Sequence, residues 1–259
     1  MPLKKELMLY QNAPFVEERV YQTIPDWHVH DFCQVLFGLQ GQSELEIQGN
    51  LYRTYSMRGV IVPRGSRHDF VGNKENCQLV VDLPLSSIAI PHALLDKPRE
   101  FAVPANVDNI IYQVNTLAFS KQRQYDWLLA VHLVDQIILS LGGNANDAAR
   151  FPVKQIECYL RTHINRAVTT TELATHFGWK QRRFHDLFYH AFGDTPQHYH
   201  IRLRLDYALK LLSDPSNKLI EIADSLGYSD QQAFTHSFSA RFGMAPGQWR
   251  AHLKTPIKS

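Results

Sequence analysis

Cysteine is scarce in this 259-residue chain: there are 3, Cys33, Cys77 and Cys158, odd in number and far apart. That pattern does not fit a disulfide framework, and a reducing compartment, the cytoplasm, is expected. Long apolar runs are missing as well. No stretch of about 18 apolar residues occurs, so no membrane-spanning helix and no membrane partner are expected. The start, Met1 to Tyr10, has two lysines but no apolar segment followed by a small-residue cleavage site, so no export signal is expected. Charged residues make up only 20% against 44% hydrophobic. This composition argues against disorder and for one large or two modest globular domains.

The small net charge of +2 hides an asymmetry. Residues 151–259 hold 14 Lys/Arg against 9 Asp/Glu, while residues 1–150 hold 13 against 16. A basic half joined to an acidic half suggests that only the C-terminal half meets phosphate.

The grammar of the first part is that of short strands and turns, from about Phe15 to Leu83. Gln34–Gly38 is a short apolar run, and Ser43–Gln48 alternates polar and apolar with the period of a half-buried strand. Gly49-Asn50 reads as a hairpin turn with Leu51–Tyr55 as the returning strand. Val60–Val62 and Cys77–Asp82 add two more strands, which together indicate a sandwich or small barrel. After Pro84 the pattern turns helical. Val107, Ile110, Ile111, Val114 and Leu117 share one face, and Leu128, Val131, Val134, Ile138 and Leu141 form a stripe on a helix from about Gln124 to Leu141. That stripe either packs on its own barrel or forms a dimer seam with a second chain. Gly142–Asn146 reads as a linker.

The last third repeats itself. Glu172-Leu173-Ala174 returns as Glu221-Ile222-Ala223, and Gly178-Trp179 as Gly227-Tyr228. Phe188 returns as Phe238, Phe192-Gly193 as Phe242-Gly243, Pro196 as Pro246 and Tyr199 as Trp249. Each unit reads as helix, glycine turn, helix, then a Pro-started helix, the syntax of a helix-turn-helix. Thr170-Thr171 and Thr195-Pro196 offer helix starts. The long helix from Pro196 has Ile201, Leu205, Ala208 and Leu212 as its expected buried stripe, and Asp214-Pro215 ends it.

Two unlike helix-turn-helix units joined by a rigid helix resemble the AraC/XylS family of bacterial transcription regulators. Residues 222–250 carry the resemblance best: an Ile-Ala pair, Gly-Tyr, Phe234, Phe238, Arg241-Phe242-Gly243, then Pro246, Trp249 and Arg250. The match covers about residues 154–254. The resemblance implies an α+β chain. Residues 1–146 would form a cupin-like effector-binding barrel with a helical dimerisation segment. Residues 151–259 would form an all-α DNA-binding domain. It also implies a homodimer, double-stranded DNA as partner, a small-molecule effector and, for an activator, RNA polymerase; no enzymatic activity is expected.

By the same resemblance, base-reading positions fall on Arg182, His185 and Asp186 in the first unit and on Gln231, Gln232, Thr235 and His236 in the second. The chemistry fits, since Arg bridges guanine O6 and N7 and Gln bridges adenine N6 and N7. Asp186 either accepts from cytosine N4 or pairs with Arg182 one turn back, the preferred reading. Lys180, Arg183 and Arg241 are expected at phosphates, which position the protein without reading sequence. The aromatic residues of the signature are expected to fill the core.

In the first half, His28-Val-His30 followed by Gln34, then Gly59, Pro63, Gly65 and His68, resembles the two cupin motifs. Imidazoles two apart on a strand share a face, which suits a metal. Metal-dependent cupins place a Glu where Gln34 stands, so the full ligand set is incomplete. A three-His site of His28, His30 and His68 for a divalent transition metal stays open beside a metal-free effector pocket. Arg53, Arg64 and Arg67 are candidates to hold an acidic effector, with Trp27, Phe32, Tyr52 and Phe70 as apolar walls. The competing reading of the whole chain is a cupin-type metalloenzyme with a helical appendage. The doubled helix-turn-helix argues against it.

Overall fold

The computed structural model describes residues 13–56, 58–73, 75–103, 123–140 and 151–254. These divide into two compact units, one formed by the described residues up to 140 and one by those from 151 on. The expected helical face at Val107–Leu117 and the expected linker at 142–146 lie outside the described residues.

The first unit is a curled antiparallel sheet of nine strands: β1 Phe15–Arg19, β2 Asp26–His28, β3 Cys33–Gln40, β4 Gln42–Ile47, β5 Asn50–Tyr55, β6 Arg58–Val62, β7 His68–Gly72, β8 Cys77–Leu83 and β9 Arg99–Ala102. Their order is β1-β8-β3-β6-β5-β4-β7-β2, with β9 added to β6. The alternation in β4 works as expected: Ser43, Leu45 and Ile47 face inward while Glu46 faces water. The hairpin turn sits one residue earlier than Gly49-Asn50. Gln48 and Gly49 both take positive φ (53° and 77°), and Ile47 pairs with Asn50. This is a two-residue loop whose backbone matches the strands' twist. Leu36, Leu45, Ile47, Val60, Val62, Val80 and Tyr21 form one interior cluster, against which Tyr52 and Phe70 pack.

The first helix, α1 (Arg123–Ser140), packs on β1 and β9. Its buried residues are Leu129, Ala130, Val131, Leu133, Val134 and Ile137. The expected stripe is thus rotated: Val131 and Val134 are inside, whereas Leu128 and Ile138 are only half-buried. Covering its own sheet accounts for the apolar face of this helix.

The second unit is helical: α2 Val153–Thr162, α3 Thr170–His176, α4 Gln181–Phe192, α5 Pro196–Ser213, α6 Leu219–Ser225, α7 Gln231–Phe242 and α8 Pro246–Lys254. Thr169, not Thr170 or Thr171, caps α3, its hydroxyl accepting the Glu172 N–H at 3.1 Å. Thr195 caps α5 as expected, with Pro196 in the first turn, where no N–H is needed. The predicted stripe of α5 holds for Leu205, Ala208 and Leu212, but Ile201 is exposed.

Both inner turns use a left-handed glycine, Gly178 (φ 72°) and Gly227 (φ 65°). They differ in surroundings. A Cβ on Gly178 would meet nothing within 4 Å, whereas one on Gly227 would lie 2.3 Å from the Asn165 carbonyl oxygen. The second turn therefore presses on the backbone that follows α2. Gly178→Ala is expected to cost only the positive-φ penalty, about 1–2 kcal/mol. Gly227→Ala should cost clearly more, because two backbones must also move apart. Equal losses in chemical denaturation would contradict the close approach.

Candidate nucleic-acid interface and barrel histidine cluster

The two helix-turn-helix units are built on the same aromatic ladder. In the first, ring centroids are 5.9 Å apart for Phe184–Phe188, 3.9 Å for Phe188–Phe192 and 5.8 Å for Phe188–Tyr199. In the second, the matching distances are 5.7 Å for Phe234–Phe238, 4.5 Å for Phe238–Phe242 and 5.8 Å for Phe238–Trp249. Rings four apart share one helical face, so this ladder turns the opposite face of α4 and of α7 to solvent. Arg182, Asp186, Gln231, Gln232 and His236 are exposed there; His185 and Thr235 are partly so. Lys180 and Arg183 are exposed at the start of α4. Asp230 caps α7 by accepting the Ala233 N–H at 2.7 Å, while Lys180 caps α4 with no side-chain bond.

Both units are pinned to α5 by buried polar groups. In the first unit, the Tyr199 hydroxyl donates to Glu157 of α2 at 2.7 Å, and Arg161 donates to the same carboxylate at 2.7 Å. The His200 Nε2 N–H donates to the Leu160 carbonyl at 3.2 Å. In the second unit, Arg204 donates to the Leu226 carbonyl and lies 4.4 Å from the Tyr228 ring centroid. Arg241 of α7 forms an ion pair with Asp206 of α5. None of Glu157, His200, Arg204 or Asp206 stands out in the sequence, because buried polar residues on a helix look like its wet face until its neighbours are known.

Two expectations are corrected here. Arg241 does not face phosphate: its side chain is 12% exposed and is spent on Asp206, itself 4% exposed. Arg241 stands one residue from the end of α7 and reaches back to Asp206 of α5, while Phe242 and Phe238 are buried against the core. Asp186 pairs not with Arg182 but with the neighbouring His185, Nδ1 to Oδ1 3.7 Å, both partly solvated.

In the barrel, β2 and β7 pair in a register that sets His28 opposite His68. His30 follows just past the end of β2 rather than on it. One ring nitrogen from each of the three lies within 4.8 Å of the others. The His30 Nδ1 N–H donates to the Phe32 carbonyl at 2.7 Å, and the His68 Nδ1 N–H to the Ser66 carbonyl at 3.1 Å. A carbonyl can only accept, so each Nδ1 carries the proton and each neutral ring turns an Nε2 lone pair elsewhere. Burial holds all three below the usual imidazole range, His68 at about 4. Phe32 stacks on His30 with centroids 4.2 Å apart, and Phe70 lies 4.9 Å from His28.

Gln34 is engaged elsewhere: its amide N–H donates to Asp82 at 2.7 Å. Asp82 in turn lies 3.8 Å from Arg19. The arginines do not converge on an acid-binding site. Arg53 pairs with Glu44 at 2.9 Å, and Arg67 lies 3.4 Å from Asp69 and 4.3 Å from the ring of Trp27. Trp27 is 55% exposed, so it is no wall of an enclosed pocket.

A helix-turn-helix domain family matches residues 173–252. The chain is similar along nearly its whole length to the probable transcriptional regulator LumQ of Photobacterium leiognathi, 24% identical, covering 88% of this chain and 93% of that one. It is 25% identical to the virulence regulon transcriptional activator VirF of Yersinia enterocolitica, covering 86% and 90%. The crystal structure of ToxT from Vibrio cholerae O395 overlaps 94% of this chain and 98% of its own at 11% identity, with a TM-score of 0.41, too loose a likeness to transfer a ligand. Twin helix-turn-helix units on a shared helix, with polar outer faces, make this a DNA-binding transcription regulator. Its repeated signature, which resembles that of the AraC/XylS regulators, falls largely inside the matched residues 173–252. No helix among the described residues is long and apolar enough to cross a membrane.

Two outcomes test the buried pins. Arg241→Ala should destabilise the protein by about 3–5 kcal/mol, since it removes a paired cation from a carboxylate that is 4% exposed. A phosphate-contacting arginine would instead leave the melting temperature unchanged and lower the salt dependence of DNA binding. His200 is pushed down to about 4 by burial, against about 6.5 when unfolded. Between these values the unfolded chain takes a proton that the folded one refuses. Stability from this group is therefore full above about pH 6.5 and falls as pH drops toward 4, by at most about 1.4 kcal/mol per pH unit. His200→Gln should flatten the pH dependence of the denaturation midpoint in that window; an unchanged slope would show that His200 titrates normally.

Proposed function

We propose that the protein is a sequence-specific regulator in which α4 and α7 are the two recognition helices, entering successive major grooves of one DNA site. The observation that carries this reading is the doubled ladder, which buries the same face of both helices and presents the other. On that face Arg182, His185, Asp186, Gln231, Gln232, Thr235 and His236 reach base edges, while Lys180 and Arg183 hold phosphates. Asp186, exposed on that face, suits acceptance from cytosine N4. The helix α5 has 18 residues and so spans about 27 Å at 1.5 Å per residue, a length suited to holding readers about one DNA turn apart.

The barrel serves as an effector domain that changes DNA affinity by binding a small ligand better in one state of the protein than in the other. The active species is a cytoplasmic homodimer that assists RNA polymerase. VirF, a relative over most of the chain, is named a transcriptional activator, which supports activation here. A role as a metalloenzyme has no counterpart among these relatives, which are named as regulators.

Sequences selected from a random DNA pool provide the test. Gln231→Ala should relax preference at one base pair, losing about 1–3 kcal/mol of discrimination there, while nonspecific affinity at low salt stays within a few-fold. A uniform loss on every sequence would refute a base-reading role and leave Gln231 a positioning contact.

A further inference from the structure

We propose that His28, His30 and His68 form a site for one divalent transition-metal ion, bound through three neutral imidazole nitrogens, and that this ion is a signal the barrel reports. The second clause rests on the effector-domain reading above; the site itself does not.

Three independent features point to a cation. The strand register places His28 directly across from His68, and the chain leaving β2 brings His30 to the same place. Backbone carbonyls hold the Nδ1 protons of His30 and His68, the arrangement by which metal-binding imidazoles are fixed in tautomer and orientation. The Nε2 atoms that remain on those two rings are buried and meet no hydrogen-bond donor. Buried polar atoms are ordinarily satisfied, so two orphaned Nε2 atoms in a cluster that brings one ring nitrogen of each histidine within 4.8 Å of the others call for a shared acceptor of electron density.

The donor set also selects the ion. Gln34 gives its amide to Asp82, and the carboxylate of the expected ligand set is missing. Three nitrogens and no carboxylate suit zinc, copper, nickel or iron(II) and disfavour magnesium and calcium, which need oxygen ligands. Zinc–nitrogen bonds of about 2.0–2.1 Å set tetrahedral ligands about 3.4 Å apart. The present spread closes to that by roughly an ångström of movement, which His28, the outermost and half-buried ring, can supply by rotating. Three ligands leave a fourth position for water or an anion. Phe32 and Phe70 flank the rings and lower the local dielectric.

The test uses tag-free, chelator-stripped full-length protein titrated with zinc by calorimetry and with cobalt(II) by visible absorption. One equivalent should bind, with the ligand-field bands of nitrogen-ligated cobalt, and magnesium or calcium should not compete. His28→Ala sits at the open edge and should fold normally; it should weaken cobalt binding at least ~100-fold, since even outer-shell losses cost 10–100-fold. His68→Gln should do the same, with circular dichroism confirming the fold, and His252→Ala on the exposed side of α8 should change nothing. Absence of stoichiometric binding, or wild-type affinity in His28→Ala, overturns the site. DNA selected with stripped protein gives the second readout: zinc should shift its affinity at least several-fold in wild type and not in His28→Ala. Metal binding without that shift overturns the signalling clause alone. Loss of sequence-selective DNA binding under every condition would instead overturn the proposed function.

Discussion

The helix α5 is the member on which the rest of the DNA-binding unit depends, and buried polar bonds are what bind it to both neighbours. Its first turns hold the first helix-turn-helix through Tyr199 and His200; its middle holds the second through Arg204 and Asp206. Apolar packing alone is tolerant of small slips, since one methyl contact substitutes for another. A hydrogen-bonded charge in the interior is not tolerant, because misplacing it strands its partner without solvent. The pins therefore fix the register of each unit along the helix. In the proposed function, register along α5 becomes spacing along DNA, which is the quantity a two-groove reader must hold constant.

This division of labour explains why a signature that reads as DNA-binding consists mostly of buried scaffold residues. The repeated phenylalanines, the glycines and the Arg-Phe-Gly element are devices for holding two polar faces outward. In the proposed function the reading of bases falls to residues such as Arg182 and Gln231, which the scaffold leaves exposed. One scaffold can thus serve many sites by changing only its outer face. The barrel follows the same logic: its interior is ordinary β-sheet packing, and the chemistry is concentrated in three rings at the β2–β7 margin.

Much of this is legible in the sequence, for physical reasons. The doubled helices are readable because rings at four-residue spacing and glycines at helix ends leave a periodic trace. The β4–β5 hairpin is readable from alternation, though its turn falls one residue early because Gln48 accepts a left-handed backbone. Arg241 misleads because an arginine's charge says nothing about which way it points, and its partner Asp206 lies 35 residues away. Ile201 misleads because α5 packs on two sides, so its buried surface is no single stripe. The meeting of His28 and His68 depends on strand pairing, which local spacing does not encode. What the carbonyls of Phe32 and Ser66 do to those rings can be known only from coordinates.

The central claim is that α5 sets a fixed distance between two reading heads, and operator spacing tests it most directly. In a selected binding site, base pairs are inserted between the two groove contacts one at a time. A rigid spacer predicts that insertion of a half turn, about five base pairs, abolishes specific binding through the second head, and that a whole added turn fails to restore it, because rotation is recovered but distance is not. Specific affinity that survives these insertions, or returns fully with the added turn, would contradict the account.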